Sequence, residues 1–197
     1  MIRFDEGNRR FNYRVVGVAI HNESVLLHRA DHEPFWTLPG GRAEHGETAV
    51  ETIKREMLEE LATDVQVVRL LWFVESFFDY GGLSYHEIAL YFLIRFPPAS
   101  TLLTTSAFER LDGDVHLRFK WFPLSQEQLA RLPLLPAFLA KGLTDLPMSL
   151  VHVVEHDAEP SVKILTNGVA AIDSARCHGP DHSPLGDKSL SSGTGSF

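Results

Sequence analysis

A single cysteine, Cys177, is all the thiol this 197-residue chain contains. An intramolecular disulfide and a multi-cysteine metal site are both excluded. Positive charge is also scarce: 18 Lys and Arg stand against 26 Asp and Glu, for a formal net charge of −8. Without a broad positive field the chain is not expected to take a nucleic acid polymer as a partner. A phosphorylated small molecule stays compatible, because a bound divalent cation inverts the local field. Long apolar runs are missing too. The longest, such as residues 15–20, are far short of a bilayer span, so no membrane partner is expected. The opening residues MIRFDEGNRRFNY lack the apolar core of a signal peptide, and the expected location is cytoplasmic and reduced.

What is present fits a soluble globular domain, with 44% hydrophobic and 22% charged residues. Residues 13–29 read as a β-hairpin turning at His21-Asn22-Glu23, and residues 34–42 read as a turn-rich segment. The period then changes. Residues 47–61 contain no Gly or Pro, and Val50, Ile53, Met57 and Leu61 recur at helical spacing. Strands are expected at 64–78, 85–96, 117–122 and 149–155, with loops around 78–85 and 106–114. Ser125 is placed to cap a helix that Pro133 ends, and residues 136–143 suit another.

Long strands separated by single helices predict an α+β fold, a mixed β-sheet flanked by helices. Residues 1–157 are expected to form one domain. A C-terminal extension, 158–197, becomes rich in Gly, Ser, Pro, Asp and His, and disorder is expected from about residue 174. The long strands would allow pairing into a homodimer without requiring it.

Chemistry concentrates in the 47–61 helix. Each helical residue advances about 100°, so Glu59 and Glu60 lie about 60° and 40° to either side of Glu56. Three carboxylates therefore share one arc beside the apolar stripe. Like charges at this spacing cost a few tenths of a kcal/mol each, and the C-terminal end of a helix disfavours anions. A hard cation such as Mg2+ or Mn2+ would offset that cost, with Arg55 and the earlier acids orienting the ligands. On spacing alone, a solvated acidic helix face is the stronger reading. Gly40-Gly41-Arg42 just before the helix shifts the balance, because glycine lets a backbone approach a ligand closely.

Residues 41–63 resemble the Nudix box, G-x5-E-x7-R-E-U-x-E-E-x-G-U with U aliphatic. Gly41, Glu47, Arg55, Glu56, Glu59 and Glu60 match it, while Ala62 and Thr63 stand in place of its last Gly and last aliphatic residue. Trp36-Thr37-Leu38-Pro39-Gly40-Gly41 also resembles the family's lead-in. The resemblance implies an α/β/α sandwich and an Mg2+-dependent hydrolase of a nucleoside diphosphate linked to another group, with Mn2+ as the alternative ion. It implies that Glu56, Glu59, Glu60 and the Gly40 carbonyl bind metal, that Arg55 holds the carboxylates, and that Glu47 supports Arg55. Nucleoside triphosphates and nucleotide sugars are the expected substrates.

Further roles rest on single residues. Arg29 and Arg42 are placed to contact substrate phosphates, and Trp36, Phe77, Phe78 and Tyr80 could stack on a base, although Phe77, inside a long strand, is expected in the core. Tyr80 also follows the box at a spacing similar to that of diadenosine polyphosphate hydrolases, an alternative substrate class. Glu56, Glu87, Glu109, Asp112 and Asp114 are the candidate general bases. The histidines show no metal-ligand spacing. A non-catalytic, ligand-sensing Nudix-like domain is the alternative outside enzymes, and retention of Glu56, Glu59 and Glu60 counts against it.

Overall fold

A short strand, β1 (Arg3–Glu6), leads into β2 (Arg9–His21) and β3 (Ser24–Ala30) in this computed structural model, which describes residues 1–156 and the backbone of 159–163. Asn22 and Glu23 turn the β2–β3 hairpin at φ 45° and 55°, the left-handed geometry a tight turn needs. Pairing between β2 and β3 lasts only through Ile20↔Val25 and His21↔Ser24. The two strands then part, and the stretch expected as turns fills the gap. His28 and Thr37 exchange backbone hydrogen bonds at 2.8 Å, Gly17 N–H donates to the Pro39 carbonyl at 2.9 Å, and β4 (Gly40–Arg42) pairs with residues 14–16 of β2.

Helix α1 (Ala49–Leu61) follows, then the long strands β5 (Gln66–Tyr80) and β6 (Leu83–Arg95). After a 3-10 turn at Thr101–Leu103 come β7 (Ala107–Asp112) and β8 (Val115–Pro123). The short helices α2 (Gln126–Arg131) and α3 (Leu139–Gly142) precede β9 (Val151–His156) and β10 (Glu159–Lys163). The sheet runs β10-β9-β5-β6-β2-β3-β8-β7, with β1 and β4 also on β2. It is mixed: β2 with β6 and β5 with β9 are parallel, and the other pairs are antiparallel.

Strand β7 takes residues 107–112 of the loop expected at 106–114. Phe108 stacks on Phe119 of β8 at 5.1 Å, while Glu109, Arg110 and Asp112 give the segment a loop-like composition. Strand β10 lies beyond the boundary expected at residue 157, and the tail expected from about 174 falls outside the described residues. Among the described residues, no helix is long and apolar enough to cross a membrane.

Strand alternation sends side chains to both faces. Val16 and Val18 join Trp72, Tyr91, Leu129 and Leu139 on the side of α2 and α3. Val15 and Ala19 join Ile53, Met57 and Leu61 on the side of α1, which completes an α/β/α sandwich. Burial of those three α1 side chains contributes roughly 2 kcal/mol each, which outweighs the like-charge repulsion along the helix. Val50, expected in the same stripe, is 42% exposed because it sits in the first turn, and Thr52, Glu56 and Glu60 are buried instead.

The helix end also has an identifiable cost. Ala62 adopts φ 51°, ψ 38°, with its N–H donating to the Leu58 carbonyl at 3.0 Å. This left-handed position is where the family pattern has glycine, and alanine pays for its Cβ there. Ala62→Gly is expected to stabilise the domain by about 1 kcal/mol, measured by urea denaturation. An unchanged or lower midpoint would refute this account of the cap.

Candidate active site

Helix α1 starts at a capping box. The Glu51 N–H donates to Thr48 Oγ1 at 3.2 Å, and the Thr48 N–H donates to Glu51 Oε2 at 2.8 Å. This fixes where the helix begins, and so which carboxylates face β4. Glu56 and Glu60 are 9% and 7% exposed, whereas the Glu59 side chain is 55% exposed.

Two glycines make the close approach possible. Gly40, at φ 138°, has no room for a Cβ against the Val15 carbonyl, and a Cβ on Gly41 would collide with the Glu56 carboxylate. Arg14 Nη2 donates to the Gly40 carbonyl at 2.8 Å. The Glu56 carboxylate thus lies directly on the β4 backbone.

Arg55 gathers the acids around this point. Its Nε donates to Glu47 Oε1 at 2.7 Å and its Nη2 to Glu47 Oε2 at 3.0 Å, a bidentate pair. Nη2 also donates to the Arg42 carbonyl at 3.1 Å, and Nη1 donates to Glu56 Oε1 at 2.8 Å and Glu59 Oε2 at 3.0 Å. A guanidinium has five N–H groups, and here each finds an acceptor. Thr52 Oγ1 and the Glu44 N–H, each at 3.0 Å, complete the shell of Glu47. The Arg55 hydrogen bonds hold the Glu47 carboxyl down at about 2. Burial pushes the Glu56 carboxyl up, with Arg55 opposing. A desolvated carboxylate beside a second buried one is a place where a cation would relieve a real cost.

A cleft of about 690 Å3 opens over this backbone. Among the residues singled out from sequence, Gly40, Gly41, Arg42, Glu56, Glu60 and Tyr80 line it. Glu47, Arg55 and Glu59 stand behind or beside it as the Arg55 network. The tips of β5 and β6 add an aromatic wall, where Phe78 stacks on Tyr85 at 4.7 Å and Tyr80 meets Phe35 edge-on at 6.0 Å. Phe77 belongs to neither core cluster and stacks between His86 and His156.

Several expected contributors lie elsewhere. Arg29 does not line the cleft: strand alternation turns it away from His28 and Ala30, and its guanidinium lies 5.0 Å over the Trp36 ring. Trp36 is 8% exposed in the core against Phe122, so it presents no face to a base. Glu109 pairs with Arg118 at 3.3 Å on β8, and neither it nor Asp114 lines the cleft; the Asp112 side chain lies outside the described set. Glu87 does line it, accepts from Asn12 Nδ2 at 3.4 Å, and is pushed up by burial.

Arg14, His28 and Glu155 also line the cleft and were not singled out from sequence. Each sits in a strand among other polar residues, so its direction is set only by the pairing of the sheet. Glu155 accepts from the Ala137 N–H at 2.7 Å, which ties β9 to the approach to α3.

A family model described as the NUDIX domain matches residues 12–142, more than half of the chain. The chain belongs to the Nudix family. It is 36% identical over 62 residues to YjhB, a candidate ADP-ribose pyrophosphatase of Bacillus subtilis (strain 168), covering 32% of this chain and 30% of that protein. It is 49% identical over 45 residues to a candidate 8-oxo-dGTP diphosphatase of the same organism, covering 22% of this chain and 30% of that one. The chain thus spans less than a third of either curated relative. The solved MutT protein of Bacillus halodurans superposes with a TM-score of 0.50 at 19% identity, over 78% of this chain and 97% of that one, a likeness of fold alone.

The depressed Glu47 carboxyl makes a pH prediction. Its folded value lies below its unfolded one, so its stabilisation is full above about 4.5 and is lost as pH falls toward about 2. Glu47→Gln should flatten the pH dependence of stability across that window in urea melts at stepped pH. A slope as steep as that of the original protein would count against the Glu47–Arg55 linkage.

Proposed function

We propose that this Nudix domain is a hydrolase of the diphosphate linkage in a nucleoside diphosphate derivative, dependent on Mg2+ or Mn2+. The observation that carries the reading is the Glu56 carboxylate, desolvated and seated on Gly41 in the floor of an aromatic-walled cleft. Among the described residues, no three acidic, imidazole or thiol side chains converge as a ready cage. Mg2+ rarely uses one, since it takes one or two carboxylates and fills its shell with water and substrate phosphate. The donors here, carboxylate and carbonyl oxygens, suit it.

In this reading Glu56 and Glu60 hold the ion from the cleft floor, with Glu59 and the Gly40 carbonyl beside them. The ion supplies Lewis acidity, neutralising phosphate charge and acidifying the attacking water. Arg55 keeps the mutually repelling acids in register, and Glu47 keeps Arg55 in place. Arg42, partly desolvated among Arg3, Arg14 and Arg10, faces the cleft as the cation for a phosphate oxygen. The stacked tips of β5 and β6 receive the base, since any nucleobase presents a π-face. Burial pushes the Glu56 and Glu87 carboxyls up, and either is suited to take the water's proton.

The test is a panel of nucleoside triphosphates, nucleotide sugars, ADP-ribose and diadenosine polyphosphates with Mg2+ or Mn2+, the products identified. Turnover to a nucleoside monophosphate is expected for at least one class. Binding without turnover on any would establish the ligand-sensing alternative instead. Glu59→Gln is expected to abolish turnover while the thermal melt is retained, and full activity would refute its metal role. Gly41→Ala should lower kcat/KM by about 100-fold by displacing the Glu56 carboxylate. Activity within a few-fold of the original would show that the close contact is dispensable.

A further inference from the structure

Behind the aromatic wall of the cleft, four side chains form a row across four strands. Asp5 of β1 is the register partner of Arg10 on β2, Arg10 of Tyr85 on β6, and Tyr85 of Phe78 on β5. Register partners share a face of the sheet, and here each pair meets. Arg10 Nε and Nη2 donate to the two Asp5 carboxylate oxygens at 2.8 and 2.9 Å, a bidentate pair. Its Nη1 donates to the Tyr85 hydroxyl at 3.3 Å. The Tyr85 ring then stacks on Phe78 at 4.7 Å, with 9° between the planes. Tyr85 and Phe78 line the cleft, whereas Asp5 and Arg10 do not.

An ordinary surface ion pair contributes little, because two long side chains must be held still in water. This pair differs in what it holds. The Arg10 side chain is 19% exposed, and a planar guanidinium fixed along one edge by Asp5 has its remaining nitrogen aimed at the tyrosine. The backbone beneath is tied as well, since the Ser84 N–H donates to the Asn8 carbonyl at 2.8 Å where β2 and β6 begin to pair. The other end of the hairpin offers no such support, for nothing lies within 4 Å of a Cβ built on Gly81 or Gly82. A ring left loose there would have to be ordered by whatever binds against it, at a cost in affinity.

Resting on the hydrolase reading for its ligand class, we propose that Arg10, held by Asp5, is a positioning residue that fixes the Tyr85 ring against Phe78 before substrate arrives, and so sets affinity for the base-bearing part of a nucleotide. Arg10 acts through the ring and not through its charge, which Asp5 pairs outside the cleft lining.

Kd by titration calorimetry, with KM and kcat where turnover occurs, is compared for ATP, UTP and inorganic triphosphate, which carries the phosphates alone. Arg10→Met should weaken ATP and UTP about fivefold, in Kd and KM with kcat little changed, and leave triphosphate as it was. Arg10→Lys, which keeps the charge without the fork, should not restore the loss. Tyr85→Phe should show the same fivefold loss, and adding Arg10→Met to it should cost nothing further. Additive losses, or an equal loss on triphosphate, would overturn the proposal. So would an original protein that binds ATP and UTP no better than triphosphate.

The unliganded protein gives an independent readout. Tyr85 ring protons, assigned through Tyr85→Phe, should carry a ring-current shift from Phe78 that collapses in Arg10→Met, and an unmoved shift would overturn the proposal. Asp5→Asn, at an exposed carboxylate, tests the same linkage should Arg10→Met fail to fold, with a smaller loss expected on ATP and UTP alone. Base-dependent binding without any turnover would sink the hydrolase reading and leave the role of Arg10 standing.

Discussion

Two missing side chains set the geometry on which the rest depends. A Cβ at Gly40 has no room against the Val15 carbonyl, and one at Gly41 would occupy the space of the Glu56 carboxylate. With both absent, β4 lies flat on β2 and α1 lies flat on β4. Everything charged in the site follows from this contact. Glu56 and Glu60 are buried because the helix is close, Glu56 is desolvated because it is buried, and Arg55 has acceptors on every N–H because three acids and a carbonyl are within reach. The helix accepts this arrangement because Ile53, Met57 and Leu61 anchor its other flank in the core.

The parting of β2 from β3 plays the complementary role. A hairpin that stayed paired would leave no gap for residues 36–42 and no path for β4 to reach β2. The same parting presents His28 on the wall of the cleft instead of inside a continuous ladder. Backbone hydrogen bonds from Gly17 and His28 close the gap, so the glycine turn is held as firmly as a strand. The metal role proposed for the Gly40 carbonyl and the Glu56 carboxylate would require that stiffness.

What was legible in the sequence was what depends on local spacing. The α1 period, the box residues and the long β5 and β6 strands could be read because each is periodic over many residues. Side-chain direction at strand ends was less legible. Arg29 and His28 are neighbours, and only the register with Thr37 and β8 decides which one meets the cleft. Arg14 and Glu155 were hidden for the same reason, each a charged strand residue whose partner comes from distant chain. Val50 shows the limit of a helical wheel, which gives direction around the axis but not whether anything lies opposite the first turn. Strand β7 was obscured by its own charges, because an edge hairpin needs only one apolar face.

The aromatic tips of β5 and β6 have a consequence for how such a protein diversifies. The two strands remain paired as far as Tyr80↔Leu83, and the Gly81-Gly82 turn beyond them makes no contact that would resist a Cβ. The Arg55 assembly draws nothing from this hairpin. Residues there can lengthen, shorten or exchange their rings without disturbing a hydrogen bond of the acidic cluster. The aromatic wall and the Arg55 network thus lie on separate pieces of chain, and the tip can vary while the network stays as it is.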